Sequence, residues 1–375
     1  MAASLYIGLM SGTSLDGVDG VLVDFDAGAA GLPQVLAHAH HPFADDLRAE
    51  LLALNSPADN ELHRAALAGN GVARCYAGVV EALLGRSGTA PGQVRAVGAH
   101  GQTVRHRPGE FDGTGYTLQL NSPALLAELC GIDVVADLRS RDVAAGGQGA
   151  PLAPVIHRAL FARAGETVAV LNLGGIANLT VLRADGSAIG FDCGPANALM
   201  DHWCGLHTGR PYDDGGAWAA AGRVNAPLLA RLRREPFFAR PPPKSTGRDL
   251  FNPAWLQAKL ASADHATTPV DVQATLAEFS AMACADDVRR HAPGTRSLVV
   301  CGGGASNRHV MARLAALLPG VGVQPSDAFG LPAEQVEACA FAWLARACVR
   351  RESGNLPDVT GARGARVLGA IYPAR

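Results

Sequence analysis

A strand, a glycine-rich turn and a second strand follow one another twice in the sequence, and this repeat limits the possible folds most strongly. The first copy lies near 6–25 and includes GLMSGTSLDGVDGVLVDF, and the second lies near 168–182 and includes LNLGGIANLT. A strand that runs into three glycines and a helix follows near 298–310. A single doubly wound sheet is the competing arrangement, but repeated βαβ units would not begin with an antiparallel hairpin. We therefore predict an α/β protein of two lobes, each offering a glycine hairpin toward a shared cleft.

Length and composition are those of an ordinary globular chain. Of 375 residues, 48% are hydrophobic and 18% charged, and the formal net charge is −2. The length favours two lobes, and the small net charge gives no electrostatic case for nucleic acid or a membrane surface as partner. The sequence shows neither a run of about 18 apolar residues nor the basic start and apolar run of a signal peptide. We expect a cytoplasmic protein.

Several common kinds of site lack sequence support. The eight cysteines form no C-x-x-C pair, so a zinc site or a disulfide framework is not expected, and most should be core residues. The sequence has no G-x-x-x-x-G-K-[ST], G-x-G-x-x-G, H-E-x-x-H or G-x-S-x-G motif. This excludes the P-loop, the dinucleotide fingerprint, the zinc-hydrolase helix and the nucleophile elbow.

The opening stretch has more glycine and hydroxyl residues than a plain turn needs. Glycines let the backbone approach a ligand closely, so that several N–H groups point into one concavity. Ser11, Thr13 and Ser14 add hydroxyl donors without charge. A solvent-exposed hairpin is the alternative, but the two later glycine elements favour a polyphosphate site.

Asp192 is the candidate general base. In FDCGPANALMDHW (191–203) it ends an apolar strand and precedes a helix. A carboxylate there can face a cleft, and the helix N-terminus can help to hold an anion beside it. A helix N-cap or turn aspartate is the alternative. The loop KSTGRD (244–249) is either a mobile substrate contact or a solvated loop.

Four polar residues outside the glycine elements have possible roles of their own. His100 and Gln102 follow a buried strand and share one face of an extended chain, although a core histidine and a loop glutamine are the alternative. Arg139 follows the strand 132–137 and could clamp a carboxylate through two hydrogen bonds; otherwise it is a surface charge. Glu337, taken alone, is typical of an acidic residue that complements a helix dipole.

Nine blocks in this order resemble one family from end to end: SGTSLDGVDG, HGQT, AAGGQGAPLAP, LNLGGIANLT, FDCGPANALMD, PPKSTGRDLFN, CGGGASN, EACAFAWLA and NLPDVTGA. The chain resembles the anhydro-N-acetylmuramic acid kinases, sugar kinases of the acetate and sugar kinase/Hsp70/actin superfamily. The resemblance implies a two-lobed actin-like ATPase fold with an ATP cleft between the lobes. We expect 1–138 with 355–375 to form the N-terminal lobe, and 139–354 the C-terminal lobe.

The resemblance implies a double reaction. Water opens the 1,6-anhydro bond of 1,6-anhydro-N-acetylmuramic acid while O6 takes the γ-phosphoryl group of ATP. The product is N-acetylmuramic acid 6-phosphate, an intermediate of peptidoglycan recycling. ATP and Mg²⁺ are the implied cofactors, and a homodimer is the implied assembly. A kinase of another aminosugar without ring hydrolysis, or an actin- or Hsp70-like ATPase that binds a partner, is the alternative.

The resemblance also assigns roles to residues. It makes Asp192 the catalytic base, and His100, Gln102, Arg139 and Glu337 sugar contacts. Asp16 or Asp19 could hold Mg²⁺ through water, and Arg139 could pair with the lactyl carboxylate. The predicted nucleotide contacts are Gly12, Thr13, Ser14, Leu15, Asp16, Gly17, Val18, Asp19, Gly174, Gly175, Gly302 and Gly303.

Two segments depart from the family pattern. The family has D-T-G-P-G-N around the base, whereas this chain has DCGPAN with Cys193 and Ala196. The loss of a hydroxyl beside the base could alter its hydrogen bonding. In LQLNSPA (118–124), Asn121 and Ser122 replace a glycine–aspartate pair.

Overall fold

The computed structural model describes residues 4–12, 15–27, 33–247, 250–261 and 267–374. The strands in this part of the chain are β1 (Leu5–Met10), β2 (Gly17–Asp24), β3 (Gln34–Pro42), β4 (Val94–Ala99), β5 (Gln102–Pro108), β6 (Gly115–Leu120), β7 (Val134–Ala136), β8 (Val168–Leu173), β9 (Ile176–Leu182), β10 (Ala188–Pro195), β11 (Ser297–Cys301), β12 (Gly322–Pro325) and β13 (Ala370–Tyr372). The α-helices are α1 (Asp45–Ala53), α2 (Glu61–Ser87), α3 (Pro123–Cys130), α4 (Ser140–Ala144), α5 (Ala153–Phe161), α6 (Asn197–Thr208), α7 (Ala217–Ala221), α8 (Ala226–Arg233), α9 (Pro253–Ala261), α10 (Pro269–His291), α11 (Arg308–Leu317), α12 (Val336–Val349) and α13 (Pro357–Thr360).

The chain divides into two compact units. The first comprises Met1–Ile156 with Gln335–Arg375, and the second comprises His157–Glu334. Each unit is built on a mixed sheet, so the predicted α/β class is confirmed.

The sheet of the first unit has the order β13-β7-β4-β1-β2-β3. Strands β1, β2 and β3 form an antiparallel meander, and β4 and β7 continue the sheet parallel to β1. Strand β13 adds an antiparallel edge. The predicted opening hairpin is therefore confirmed as antiparallel. Its glycine-rich turn lies between β1 and β2, where a meander needs a short connection.

The sheet of the second unit repeats this arrangement, with the order β10-β9-β8-β11-β12. Strands β8, β9 and β10 form an antiparallel meander, and β11 and β12 continue it in parallel. The Asp185-Gly186 pair between two apolar runs is a strong hairpin signal in the sequence. It joins β9 to β10, and the positive φ of Gly186, +86°, suits that turn. The repeat seen in the sequence is thus a repeat of topology.

Helix α12 lies directly on the first sheet through two glycines. Gly8 of β1 and Gly98 of β4 are paired across the sheet. A methyl group at Gly8 would overlap the carbonyl oxygen of Ala338, and one at Gly98 would overlap that of Phe341. Glycine is required at both positions because the backbones of helix and sheet approach this closely. The apolar residues of 335–350 recur with the spacing of one helical face, and α12 occupies this stretch.

Helix α10 is the central helix of the second unit. Leu276, Phe279 and Ala283, whose spacing in the sequence fits one helical face, are buried, and so are most residues around them from Val272 to Val288. Other helices and the sheet cover it on nearly every side, which one-face periodicity does not indicate. None of the helices that the structure describes is both long and apolar enough to span a bilayer.

The first unit takes in more of the chain than the corresponding predicted lobe. The prediction assigned 1–138 with 355–375 to one lobe and 139–354 to the other, whereas 139–156 and 335–354 lie in the first unit. The carboxylate of buried Asp142 accounts for the first addition, since it accepts hydrogen bonds from Asn355 (2.7 Å) and Thr360 (2.8 Å). The packing of α12 on β1 and β4 accounts for the second.

Candidate active site

Asp192 lies within β10 of the second unit, where it is half-buried. Its main-chain N–H donates to the carbonyl oxygen of Lys244 (3.0 Å), and its Oδ2 accepts from the main-chain N–H of Thr246 (2.9 Å). The register with β9 shifts between Asp192 and Gly194. Such a bulge re-aims the side chains beside it. The carboxylate is thus held by a strand and by the adjacent loop.

The surroundings of this carboxylate favour its protonated form. Burial raises the pKa of Asp192 above the ordinary value, and the Thr246 N–H and the charge of Lys244 oppose that effect. A carboxylate with a raised pKa takes up a proton more readily than an exposed one and so is better matched to general base catalysis.

The start of helix α6 is not free to bind an anion through its first donors. The carbonyl oxygen of Gly175 accepts the N–H groups of Ala196 (3.0 Å) and Ala198 (3.1 Å), and that of Gly174 accepts the N–H of Asn197 (3.0 Å). The prediction that this N-terminus holds an anion beside the base is therefore wrong for these three donors. The N-cap is Ala196, so Asp192 is not a capping residue either.

The glycine turns of the second unit lie at the carboxyl ends of two neighbouring parallel strands, where α/β sheets commonly bind ligands. In the pairing of β8 with β11, Asn172 lies opposite Cys301. Gly302 has φ +80°, and a methyl group there would overlap the Asn172 side chain. A methyl group at Gly303 would meet no atom within 4 Å, and one at Gly174 none within 3.6 Å. Gly174 and Gly303 therefore leave room for a ligand.

The sequence analysis missed two amides on the same sheet. Asn172 of β8 is paired with Asn178 of β9, and Asn178 with Asp192 of β10. Directly opposed residues share a face of the sheet, so the three side chains form a polar row. The signal was present in LNLGGIANLT, in which each apolar strand carries an asparagine beside the glycine turn.

In the first unit, His100 and Arg139 are directly bonded. Nε and Nη2 of Arg139 donate to Nε2 of His100 (3.1 and 2.9 Å), and Nη1 donates to the carbonyl oxygen of Gly149 (2.7 Å). Nδ1 of His100 lies 3.2 Å from the carbonyl oxygen of Ser11 and donates to it. With one ring nitrogen donating and the other accepting, His100 is a neutral imidazole.

The electrostatics of this pair agree with that assignment. Burial lowers the pKa of His100 to about 3, and the charge of Arg139 lowers it further in the same direction. Burial also lowers the pKa of Arg139 to about 10, an effect that the charge of Glu337 opposes. The two hydrogen-bond acceptors named for the Arg139 guanidinium are neutral, and the charge of Glu337 acts on it as well.

Gln102 and Glu337 belong to the same unit. Nε2 of Gln102 donates to the carbonyl oxygen of Gly12 (3.0 Å), and its Oε1 is buried without a partner among the described residues. Glu337 is exposed in the first turn of α12. Desolvation by the surrounding protein raises the pKa of Glu337, whereas the charge of Arg139 lowers it and that of Asp19 raises it. Three of the predicted sugar contacts, His100, Arg139 and Glu337, are thus electrostatically linked.

The predicted ATP stretch is only partly a loop. Thr13 and Ser14 lie outside the described residues. The N–H of Leu15 donates to the carbonyl oxygen of Gly12 (3.3 Å), and Leu15 has φ +55°. Asp16 is exposed. Gly17, Val18 and Asp19 already belong to β2, and the Val18 side chain is fully buried, so Val18 can offer a ligand only its backbone.

Asp19 contacts two histidines that sequence reasoning missed. Its Oδ1 lies 3.2 Å from Nε2 of His38 and 3.1 Å from Nδ1 of His40, both on β3. Burial raises the pKa of Asp19, but the bonds to His38 and His40 outweigh it and the net direction is downward. Within the described ranges no three His, Cys, Asp or Glu side chains form a group that could hold a metal.

The fold and these groups define a class of protein. Two α/β units with the same meander-plus-parallel topology, glycine turns at the strand ends and a partly buried carboxylate belong to the sugar kinase/Hsp70/actin fold class, as the resemblance implied. The family model described as "Anhydro-N-acetylmuramic acid kinase" matches residues 4–374. The chain belongs to this family.

Two relatives identified by sequence agree with that assignment. A protein of Variovorax paradoxus (strain S110) named anhydro-N-acetylmuramic acid kinase is 67% identical and covers 100% of both chains. Its namesake in Cupriavidus pinatubonensis is 61% identical over 98% of both chains. Among solved structures, the activator of the 2-hydroxyisocaproyl-CoA dehydratase from Clostridium difficile with bound ADPNP is similar at a TM-score of 0.49 and 12% identity, over 92% of this chain and 96% of that chain.

Proposed function

We propose that this protein opens the 1,6-anhydro ring of 1,6-anhydro-N-acetylmuramic acid with water and phosphorylates O6 with ATP. The observation that carries the proposal is the geometry of Asp192 in a chain of this kinase family. A water oxygen bonds to C1 as the C1–O6 bond breaks, and the water proton passes to Asp192. O6 then bonds to the γ-phosphorus as the bond to ADP breaks. The products are N-acetylmuramic acid 6-phosphate and ADP, and the reaction serves peptidoglycan recycling.

Asp192 suits the role of base for two reasons. Both of its described hydrogen bonds come from or go to main-chain groups, so the position of the carboxylate does not depend on flexible side chains. Burial raises its pKa and makes it a better proton acceptor near neutral pH. General base assistance of this kind is typically worth about 10²- to 10⁴-fold in rate.

The first unit supplies groups that match the sugar. The Arg139 guanidinium, which donates to the His100 ring and to the Gly149 carbonyl oxygen, would pair with the lactyl carboxylate. Oε1 of Gln102 would accept a hydrogen bond from a sugar hydroxyl group. His100 holds Arg139 in place as a neutral acceptor. Glu337, with its raised pKa, would bind another polar group of the substrate.

ATP binding is assigned to the glycine elements. Backbone N–H groups in such turns hold phosphate oxygens without a charged side chain. We assign Gly12–Asp19 of the first unit and Gly174, Gly175, Gly302 and Gly303 of the second to the nucleotide. Mg²⁺ would come as the Mg–ATP complex and neutralise phosphate charge, with Asp16 or Asp19 contacting its water ligands.

The proposal includes a cytoplasmic location and a homodimeric assembly. Use of ATP as phosphoryl donor places the reaction in the cytoplasm, and the family resemblance suggests a homodimer. Light scattering of the purified protein tests the second point, since a monomeric mass at assay concentration would contradict it.

The deciding experiment is mass spectrometry of the product formed from 1,6-anhydro-N-acetylmuramic acid and Mg–ATP in ¹⁸O-water. We expect one phosphate and one ¹⁸O atom in the same sugar. Asp192→Asn should lower the rate of both events together, by about 10²- to 10⁴-fold, without loss of folding. A product with phosphate but no ¹⁸O would indicate a plain aminosugar kinase. ATP hydrolysis without phosphorylated sugar would favour a nucleotide-controlled binding protein.

A further inference from the structure

The segment from Lys244 to Thr246 holds Asp192 from both sides. Its first residue accepts the Asp192 N–H, and its third donates to the carboxylate Oδ2, at 3.0 and 2.9 Å. No regular secondary structure occurs between Arg240 and Gly247. Something other than a helix or strand ladder must fix the segment if it is to position a catalytic group.

The Lys244 side chain provides that anchor. Its Nζ lies 3.0 and 3.3 Å from the two carboxylate oxygens of Asp287 on α10, and the two side chains are 1% and 4% exposed. The ammonium group also lies over the rings of Phe191 (5.5 Å) and Phe237 (5.0 Å). A cation this deeply buried is stable only if it is paired, and breaking such a pair is strongly destabilising. Ion pair and rings together tie the segment to the core of the second unit.

We propose that the Lys244–Asp287 ion pair is the positioning device of the general base: it fixes the loop that orients Asp192 and sets the charge beside its carboxylate. The proposal rests on the proposed role of Asp192. It adds a second layer to the site, in which Lys244 and Asp287 act through Asp192 and touch no substrate.

The charges around the ion pair determine in which direction each substitution should shift the pKa of Asp192. Lys244 lowers the pKa of Asp192 and so partly offsets the effect of burial. His291 faces Asp287 at 3.8 Å, and burial lowers the pKa of His291. Among the residues that the structure describes, Cys193, Cys284, Arg183 and Arg290 also interact electrostatically with this cluster. Loss of Lys244 should therefore raise the pKa of the base, whereas loss of Asp287 alone should not.

The test is the pH profile of ¹⁸O-coupled phosphorylation by the full chain. Lys244→Met should lower kcat by about 10²-fold, the scale expected when a catalytic group is misplaced by about 1 Å. The KM for sugar should change much less, and the acid limb of the kcat profile should move to higher pH. Lys244→Arg, which keeps the charge, should recover part of the rate.

Lys259 offers a matched control. Its Nζ pairs with Glu235 at 3.2 Å and lies 5.2 Å from the centre of the Trp255 ring, also in the second unit. The described contacts of this lysine include none with Asp192. Lys259→Met removes the same kind of ion pair and ring contact, so kcat and the acid limb should stay at their wild-type values.

Asp287→Asn separates charge from structure. It loosens the anchor but leaves the Lys244 charge near the base, so kcat should fall while the acid limb stays or moves to lower pH. Should Lys244→Met fail to fold, the double variant Lys244→Met with Asp287→Leu avoids a buried unpaired charge. It should keep the folded state but not the rate.

The proposal is overturned if a folded Lys244→Met retains wild-type kcat, or if Lys244→Met and Asp287→Asn shift the acid limb in the same direction. Equal losses in Lys244→Met and Lys259→Met would also overturn it. A wild-type protein that forms no phosphorylated ¹⁸O sugar would instead refute the proposed function, so the two failures are distinguishable.

Discussion

Each unit holds a cation that is at least half-buried, but the hydrogen-bond acceptors of the two cations differ. Lys244 of the second unit is paired with a buried carboxylate, that of Asp287. Arg139 of the first unit donates to the imidazole of His100 and to a carbonyl oxygen, both neutral. A cation whose charge is matched inside the protein serves to fix structure, whereas one bonded only to neutral groups can still attract an anion. The comparison assigns Lys244 to positioning and Arg139 to recognition.

Among the tests of this difference between the two cations, replacement of Arg139 should have the largest effect. Charge-assisted hydrogen bonds are worth about 1.5–3 kcal/mol, so Arg139→Met should raise the KM for the muramyl sugar about 10- to 100-fold, with kcat less affected. Steady-state kinetics provide the measurement. Preference over 1,6-anhydro-N-acetylglucosamine, which lacks the lactyl carboxylate, should fall by the same factor.

Arg141 is the control for that experiment. It is an exposed arginine two residues away on α4, and Arg141→Met should leave KM unchanged. If Arg139→Met lowered kcat while KM stayed constant, Arg139 would resemble Lys244 and the contrast between the two cations would fail.

The packing inside the units offers a second test. The first unit relies on close backbone packing of α12 over Gly8 and Gly98. Gly98→Ala should reduce the free energy of unfolding by about 1–3 kcal/mol, the usual cost of overpacking, as measured by urea denaturation. Gly85→Ala, at an exposed position of α2 with nothing within 4 Å of the added methyl group, should instead increase stability by about 0.5–1 kcal/mol.

No charge takes part in the contact between Gly98 and α12. The loss of unfolding free energy caused by Gly98→Ala should therefore be the same at pH 6 and pH 8. A deficit that changed with pH would show that the substitution disturbs titrating groups as well as packing.

Acid should act on both units through buried histidines. Burial lowers the pKa of His100 to about 3 and that of His157 to about 4. Unfolded histidine binds its proton near pH 6.5, so acid favours the unfolded state. Stability should be complete above about pH 6.5 and fall by about 1.4 kcal/mol per pH unit for each histidine on the way down to those values.

Between pH 6.5 and 4, His157→Asn and His100→Asn should each make the unfolding free energy less dependent on pH. The slope should fall by the contribution of one histidine. Denaturant titrations at several pH values measure it. A slope that neither substitution changes would mean that other groups carry the acid sensitivity.

The sequence was most informative where local pattern and tertiary structure agree. The two antiparallel glycine hairpins, the turn at Asp185–Gly186 and helix α12 were all predictable, because alternation, turn chemistry and helical periodicity are local signals. The irregular path of the segment after Pro241 followed from its three prolines.

Other features depend on pairs of residues that are distant in the sequence. The anchor of Lys244 on Asp287 spans 43 residues, and nothing near either residue indicates its partner. Strand β3, with exposed and half-buried residues over most of its length, lacks a strong apolar pattern. The environment of Cys193 was also hidden: its side chain is fully buried beside Cys284. The departure from threonine at this position therefore places a small apolar group in the core.

The glycine contacts beneath α12 have a consequence for binding entropy. Strand β1 leads into the glycine loop, β4 leads to His100, and α12 carries Glu337 in its first turn. These three elements meet backbone to backbone at Gly8 and Gly98. This close packing fixes the spacing between the groups that they carry. A ligand that binds to them meets groups whose spacing is already set, so less protein freedom is lost on binding.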